Sequence, residues 1–320
     1  LDEASKRVAG SLLADNDGHW IAAYLGALRA GAVAVPLDTA YKAAQVGIVM
    51  GHSGARVLMT APRYLDTARA AIAAAGTNAP GLALLRGEAA DIANPFAPVS
   101  PDSVPPMADM PDDAMAVMLY TSGTTADPKG VVLTHGNLEA ERRSALSIVP
   151  VSEHDALLGV LPLFHALAQM ANLLLPLASG ARVVFLETIS STTLVAALGS
   201  RDITLFACVP QFFYLIHQRV MAETGRKGPI ARAFLRTLIA VNVWIRDAAG
   251  LNPAKRLLGR VHRPLGSRMR LFVTGGSTFD PVIGRDLYGL GFTILNAYGL
   301  TETSGGASER APRLGHRDPT

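Results

Sequence analysis

Apolar positions along this chain follow two rhythms that take turns. Residues 20–29 carry Ile21, Tyr24, Leu25 and Leu28 at helical spacing, and Gly31 follows in the manner of a helix C-cap. Residues 32–37 then read as a short strand closed by Pro36. The pattern predicts a helix over Ala43–Ser53, a strand over Ala55–Thr60, a helix over 68–75 and a strand over 81–85. Ahead of these, residues 2–13 read as a helix with Val8, Leu12 and Leu13 on one side. Strands and helices in alternation predict the α/β class with a doubly wound, mostly parallel sheet.

Residues 95–111 hold six prolines and cannot form regular structure, so they read as a surface connection. Alternation resumes after it. Residues 137–148 read as a helix, 157–161 as a strand ending at Pro162, and 166–177 as an apolar helix. Strands at 181–186, 204–209, 271–273 and 292–295 follow, with helices at 192–198 and 280–290. The expected division is a first α/β subdomain over 1–151, a second over 152–308, and the start of something further over 309–320.

The most informative stretch is MLYTSGTTADPKGVVLTHG, residues 118–136. An apolar strand runs into Thr121, Ser122, Gly123, Thr124 and Thr125, which are too small and polar to pack a core. They present hydroxyls and backbone N–H groups to one point, which is what a polyphosphate needs. Lys129 adds a positive charge on a long stem. An ordinary Ser/Thr/Gly loop is the plainer alternative, but strand, loop, Lys-Gly and a second strand is a rarer order. It is not the P-loop of common NTPases, which wants Gly-Lys-Ser/Thr opening a helix.

Two more polar clusters follow strand ends: Gly275, Gly276 and Ser277, and then Asn296 through Ala297, Tyr298, Gly299, Leu300, Thr301 and Glu302. His165 follows the strand that ends at Pro162, where ligands of α/β sheets collect. A lone His in apolar surroundings is more often a core residue, but this position favours function. Cys208 lies within an apolar strand and reads as an inert buried thiol.

Composition narrows the setting. The chain has 320 residues, 49% of them hydrophobic, enough for a sizeable core. Its net charge of +3 decides nothing about nucleic acid. A single cysteine excludes a disulfide framework and fits a reducing, cytoplasmic setting; no signal peptide or membrane span is expected. Charge is concentrated in residues 219–270, with twelve Lys or Arg against Glu223 and Asp247. Within that segment, residues 238–245 are apolar and include Trp244. Two readings stand there: peripheral contact with an anionic membrane surface, or a solvated helical insertion.

Taken in order, the 118–136 stretch, Gly-Gly-Ser and Tyr-Gly-Leu-Thr-Glu resemble the signatures of the adenylate-forming superfamily. That superfamily holds acyl-CoA synthetases, peptide-synthetase adenylation domains and luciferases. Ala126 departs from the glycine usual there, which bears on loop geometry. Residues 23–41, AYLGALRAGAVAVPLDTAY, resemble an early segment of acyl-CoA synthetases. The basic segment resembles, more loosely, an insertion of long-chain fatty acid–CoA ligases.

The resemblance implies an enzyme that activates a long-chain fatty acid with ATP, releases pyrophosphate and passes the acyl group to coenzyme A. It implies no nucleic acid partner. Residues 121–125 and Lys129 would hold phosphates, and His165 would lie near the reacting carboxylate. Gly275, Gly276 and Ser277 would flank adenine, with Ala297 and Gly299 beside the nucleotide. Tyr298 would stack on the base, Thr301 would contact the α-phosphate, and Glu302 would bind Mg2+. Because Thr121–Lys129, His165, Gly275–Ser277 and Tyr298–Glu302 all follow strand ends, they are expected to line one cleft between two α/β units. The resemblance also implies a β-barrel subdomain and a C-terminal domain beyond this chain, so that residues 1–320 alone would bind an acyl-adenylate without useful turnover. An acyl-AMP ligase serving a carrier protein, and a silent nucleotide- and acyl-binding module, are the alternatives.

Overall fold

The computed structural model describes residues 9–76, 79–89, 91–92, 106–121, 129–303 and 308–310, with backbone alone at 298, 303 and 308–310. Ser122, Gly123, Thr124, Thr125, Ala126, Asp127 and Pro128 lie outside the described residues, as do most of the proline-rich connection and residues 311–320. The chain divides into two compact units, Leu1–Ser144 with Pro162–Gln169, and Ala145–Leu161 with Met170–Thr320.

In the first unit the chain runs β1 (Ala9–Leu13), α1 (Gly18–Arg29), β2 (Val33–Pro36), α2 (Ala43–Ser53), β3 (Ala55–Thr60), α3 (Leu65–Ala75) and β4 (Gly81–Leu84). Then come β5 (Met115–Thr121), β6 (Lys129–Thr134) and α4 (His135–Ile148), which leads out of the unit. The sheet order is β4-β3-β1-β2-β5-β6, parallel throughout except for antiparallel β5 and β6. The helix expected over 2–13 is corrected: its second half is β1, buried at all five positions between β3 and β2. A strand covered on both faces shows no alternation, so its apolar run has no period to read.

Asp17 caps α1 by accepting the Trp20 N–H at 2.8 Å. Trp20 stacks on Tyr24 with ring centroids 5.2 Å apart, so the buried side of α1 is aromatic. Leu13, Val33, Val35, Leu37, Val46, Val49 and Leu58 form the core around these strands. Each such side chain contributes about 1.5–3 kcal/mol by leaving water.

The second unit holds β7 (Ala156–Gly159), β8 (Arg182–Phe185), β9 (Leu205–Cys208), β10 (Leu271–Thr274), β11 (Ile294–Tyr298) and β12 (Ser308–Arg310). Their order is β12-β11-β10-β9-β7-β8, again parallel except at the last strand, β12. The apolar helix expected over 166–177 is broken into α5 (Ala166–Gln169), a π turn (Met170–Leu174) and α6 (Leu175–Ser179). Then come α7 (Ser191–Ser200), α8 (Pro210–Arg226), α9 (Pro229–Ala249), α10 (Ala254–Leu257), α11 (Gly259–His262) and α12 (Pro281–Gly289). Aromatic rings fill the core, where Phe272 meets Phe213 and Phe292 edge to face at 5.6 and 5.7 Å.

One face of α9 is fixed to this core. Leu235, Ile239 and Val243 are buried, and the Asn242 amide donates to the Gly289 carbonyl at 3.0 Å. Arg246 lies 3.7 Å over the Tyr288 ring and donates to the carbonyls of Tyr288 and Phe292 at 2.7 and 2.9 Å. Its cation sits at the carboxyl end of α12, where positive charge is favoured. Gly289 is needed for this approach, because a Cβ there would lie 2.6 Å from the Ile239 methyl.

Candidate functional site

Parallel strands bring their carboxyl ends to one edge of a sheet, and chemistry in α/β proteins gathers at that edge. In the first unit, Thr121 ends β5 there and Lys129 opens β6; the two are direct cross-strand partners. The antiparallel register thus holds Lys129 beside the strand end, whatever the path of 122–128. Lys129 is exposed, Thr121 is half-buried, and among the described residues Lys129 has no ion-pair partner.

His165 belongs to the same unit. The turn that carries it is held by Asn16, just past β1, whose side-chain oxygen accepts the Leu163 N–H at 2.9 Å. Gln169, on α5, closes the turn by donating to the Leu163 carbonyl at 2.9 Å and accepting the Tyr24 hydroxyl at 3.1 Å. Burial pushes the Tyr24 pKa well up, so this hydroxyl remains a neutral donor. The turn therefore lies at the carboxyl edge, near the ends of β1 and β2. His165 retains exposed surface and packs against the Phe164 ring at 4.4 Å. Desolvation pulls its pKa below the ordinary value, while Asp38 opposes. The imidazole is neutral at pH 7, able to accept or donate a hydrogen bond without adding charge.

The second unit gathers the other candidates at its own carboxyl edge. Gly275, Gly276 and Ser277 follow β10; Ala297 and Tyr298 end the neighbouring β11, and Gly299 comes next. Gly276 has φ of +80°, and a Cβ there would meet nothing within 4 Å, so backbone conformation demands glycine and open space lies beside it. Ala297 is buried, whereas the Tyr298 side chain lies outside the described atoms. Thr301 and Glu302 sit on one short 3-10 turn, Thr301 half-buried and Glu302 exposed. Thr274, the last residue of β10, has its hydroxyl fully buried without a hydrogen-bond partner among the described residues.

Cys208 is buried at the end of β9, and burial pushes its thiol pKa well up, as expected of an inert thiol. Among the described residues no group of three His, Cys, Asp or Glu forms a metal cage. The single exposed carboxylate of Glu302 fits the other mode of Mg2+ binding, in which one carboxylate and substrate phosphates share the ion. Sequence reading missed Asn16, Tyr24 and Gln169 as the supports of the His165 turn. They come from three places in the chain and no local motif marks them.

Known proteins resemble this chain in sequence and in fold. Residues 4–320 match the family described as AMP-binding enzyme. A probable CoA ligase, CCL9, of Humulus lupulus is 28% identical over 83% of this chain and 52% of its own length. A human long-chain-fatty-acid–CoA ligase, ACSBG2, is 29% identical over 59% of this chain and 30% of that protein. An oxalate–CoA ligase of Arabidopsis thaliana is 30% identical over 70% and 44%. The chain thus spans about half, or less, of the curated relatives it matches. Among solved structures, the N-terminal domain of FACL13 from Mycobacterium tuberculosis superposes with a TM-score of 0.68 at 22% identity, covering 95% of this chain and 66% of that one. The likeness is one of fold: mixed α/β with parallel sheets.

Proposed function

Because this chain belongs to the AMP-binding enzyme family, we propose that it is the nucleotide- and acid-binding part of an ATP-dependent acid–coenzyme A ligase. The observation that carries the reading is the Thr121–Lys129 pair, held in register at the carboxyl edge of a parallel sheet. A carboxylate attacks the α-phosphorus of ATP, the bond to the bridging oxygen breaks, and pyrophosphate leaves with its electron pair. The thiol of coenzyme A then attacks the acyl carbonyl of the adenylate. A C–S bond forms as the acyl C–O bond breaks, the thiol proton is released, and AMP leaves. Alignment and charge stabilisation supply most of the acceleration in such transfers.

In this reading Lys129, with residues 121–125, stabilises the charge that grows on the leaving phosphates. His165 hydrogen-bonds near the reacting carboxylate and, being neutral, does not hold it in a static ion pair. Gly275, Gly276 and Ser277 give adenine a surface free of large side chains, Ala297, Tyr298 and Gly299 border the base, and Thr301 donates to the α-phosphate. Glu302 would hold Mg2+, which would neutralise triphosphate charge when bound.

The acid is proposed to be a long-chain fatty acid, supported by the human long-chain ligase among the relatives; the oxalate ligase marks the competing class, a short dicarboxylate. Non-hydrolysable acyl-sulfamoyl-adenosines separate the two when titrated by calorimetry. The palmitoyl analogue is expected to bind at least tenfold tighter than the oxalyl one. The reverse order would replace the acid class, and binding of neither would reject the nucleotide site. Pyrophosphate exchange by the full-length protein across a panel of acids gives the same ranking by turnover.

A further inference from the structure

Tyr214, on α8, reaches across to the turn that follows β10. Its hydroxyl donates to the Thr278 carbonyl at 3.2 Å and accepts the Asp280 N–H at 2.9 Å. One oxygen thus bridges two backbone groups of the connection between β10 and α12. The Tyr214 ring stacks on Phe279, with planes 2° apart and centroids 5.8 Å apart. Phe279 in turn meets Phe213 of the core at 5.6 Å. Gly284 lets α12 pack close to the same ring, because a Cβ there would lie 3.1 Å from it.

The connection has little bracing of its own. Pairing of β10 with its neighbours ends at Thr274. Order resumes at Asp280, whose carboxylate caps α12 by accepting the N–H groups of Val282 and Ile283 at 2.7 and 3.1 Å. Among the described residues, 276–279 form no backbone-to-backbone hydrogen bond. Gly276 within it holds φ of +80° and is exposed, as is Ser277. A segment with that much freedom keeps one path only where an outside group selects it. The Tyr214 hydroxyl is that group. Three residues further along α8, His217 pairs with Asp286 of α12 at 2.8 Å, so the same side of α8 is tied to the helix that ends the connection.

We propose that Tyr214 is a positioning residue for the nucleotide base. By holding Thr278 and Asp280 it fixes 275–277 in the path against which a purine lies. The inference rests on the nucleotide site proposed above and names what presets its adenine side. Tyr214 governs affinity for the base and leaves the phosphates to Lys129.

Tyr214→Phe keeps the ring and its stacking and removes both hydrogen bonds. Pyrophosphate exchange by the full-length protein is followed against ATP and against the acid, with tripolyphosphate as a competitor that has phosphates and no base. KM for ATP is expected to rise about three- to tenfold, the loss of one or two neutral hydrogen bonds. KM for the acid, kcat and inhibition by tripolyphosphate should stay within about twofold, the pattern of a lost binding contact. His217→Ala loosens the same side of α8 without touching 275–280, and should leave KM for ATP unchanged. Urea unfolding verifies that both variants fold. An unchanged KM for ATP in Tyr214→Phe, a matching loss for acid and tripolyphosphate, or an equal rise in His217→Ala overturns the positioning role while the nucleotide site stands. A wild type without ATP-dependent exchange rejects the nucleotide site, and this role with it.

Discussion

Asp155 and Arg270, 115 residues apart in sequence, pair through two hydrogen bonds, from Nε at 2.9 Å and Nη2 at 2.8 Å. The Thr204 hydroxyl donates to the same carboxylate at 2.6 Å, and the Ser152 N–H at 3.0 Å. Asp155 precedes β7, Thr204 precedes β9 and Arg270 precedes β10, so one carboxylate ties the amino ends of three adjacent parallel strands. Arg270 also donates to the Pro150 carbonyl. This clamp occupies the sheet edge opposite the candidate nucleotide residues.

The clamp predicts a pH-dependent stability without a matching effect on ligand binding. The Arg270 hydrogen bonds, against the desolvation of burial and with help from Thr204 and Ser152, hold the Asp155 carboxyl well below the usual range. A depressed carboxylate stabilises the fold above its unfolded pKa of about 3.9, and the contribution disappears as pH falls through the lower folded value. Asp155→Asn should lower the unfolding free energy at pH 7 by about 1.5–3 kcal/mol. In urea titrations the gap from wild type should narrow as the solution is acidified below the ordinary carboxylate range. Affinity for the palmitoyl-sulfamoyl-adenosine should stay within a few-fold.

Lys129 predicts the converse. It is exposed and forms no ion pair among the described residues, so Lys129→Ala should leave the melting temperature within a degree or two. In the full-length protein the same change should slow pyrophosphate exchange on the order of a hundredfold, the usual loss when one charge-stabilising donor is removed. An unchanged exchange rate would take Lys129 out of the mechanism.

His165 predicts the shape of a pH profile. Burial lowers its pKa, so the neutral form persists to more acid solution than an ordinary histidine allows. Adenylation by the full-length protein should be flat between pH 7 and 8 and fall only below about 6.5. His165→Gln keeps a hydrogen-bonding side chain that does not titrate, and should lower the plateau while removing this acid limb. An acid limb that survives in His165→Gln would belong to another group.

Two glycines separate strain from function. Gly266 has φ of +92°, and a Cβ there would run into the Leu198 carbonyl oxygen, so both backbone and packing resist substitution. Gly276 has φ of +80° beside open space, leaving only the left-handed penalty of about 1–2 kcal/mol. Gly266→Ala should therefore cost more stability than Gly276→Ala in urea unfolding. Gly276→Ala should lose more affinity for the adenylate analogue, because its methyl projects toward the space assigned to adenine.

Much of this architecture is legible in the sequence. Ala43–Ser53 and Ala55–Thr60 were readable to the residue because helical and extended patterns meet there at Gly54, which takes φ of +66°. β1 was not, since burial on both faces erases the alternation that marks a strand. The π turn at Met170–Leu174 also left no mark, because its residues are as apolar as those of the helix expected there. For the site, the strand-end positions of Thr121, Lys129, Gly275–Ser277 and Thr301–Glu302 follow from motif and sheet order. What holds His165 depends on Asn16, Tyr24 and Gln169, partners up to 147 residues away in sequence, and no periodicity reports on such pairs.

The segment Pro162–Gln169 also dictates an order of assembly. It completes the first unit, yet it is translated only after Ala145–Leu161, which belong to the second. A nascent chain that stops at residue 144 leaves the Asn16 oxygen without the Leu163 N–H and the Tyr24 hydroxyl without Gln169. The turn that carries His165 can therefore dock on the first unit only after residues 145–161 have been made. For the same reason, a gene cut at residue 144 encodes a first unit without the turn that carries His165.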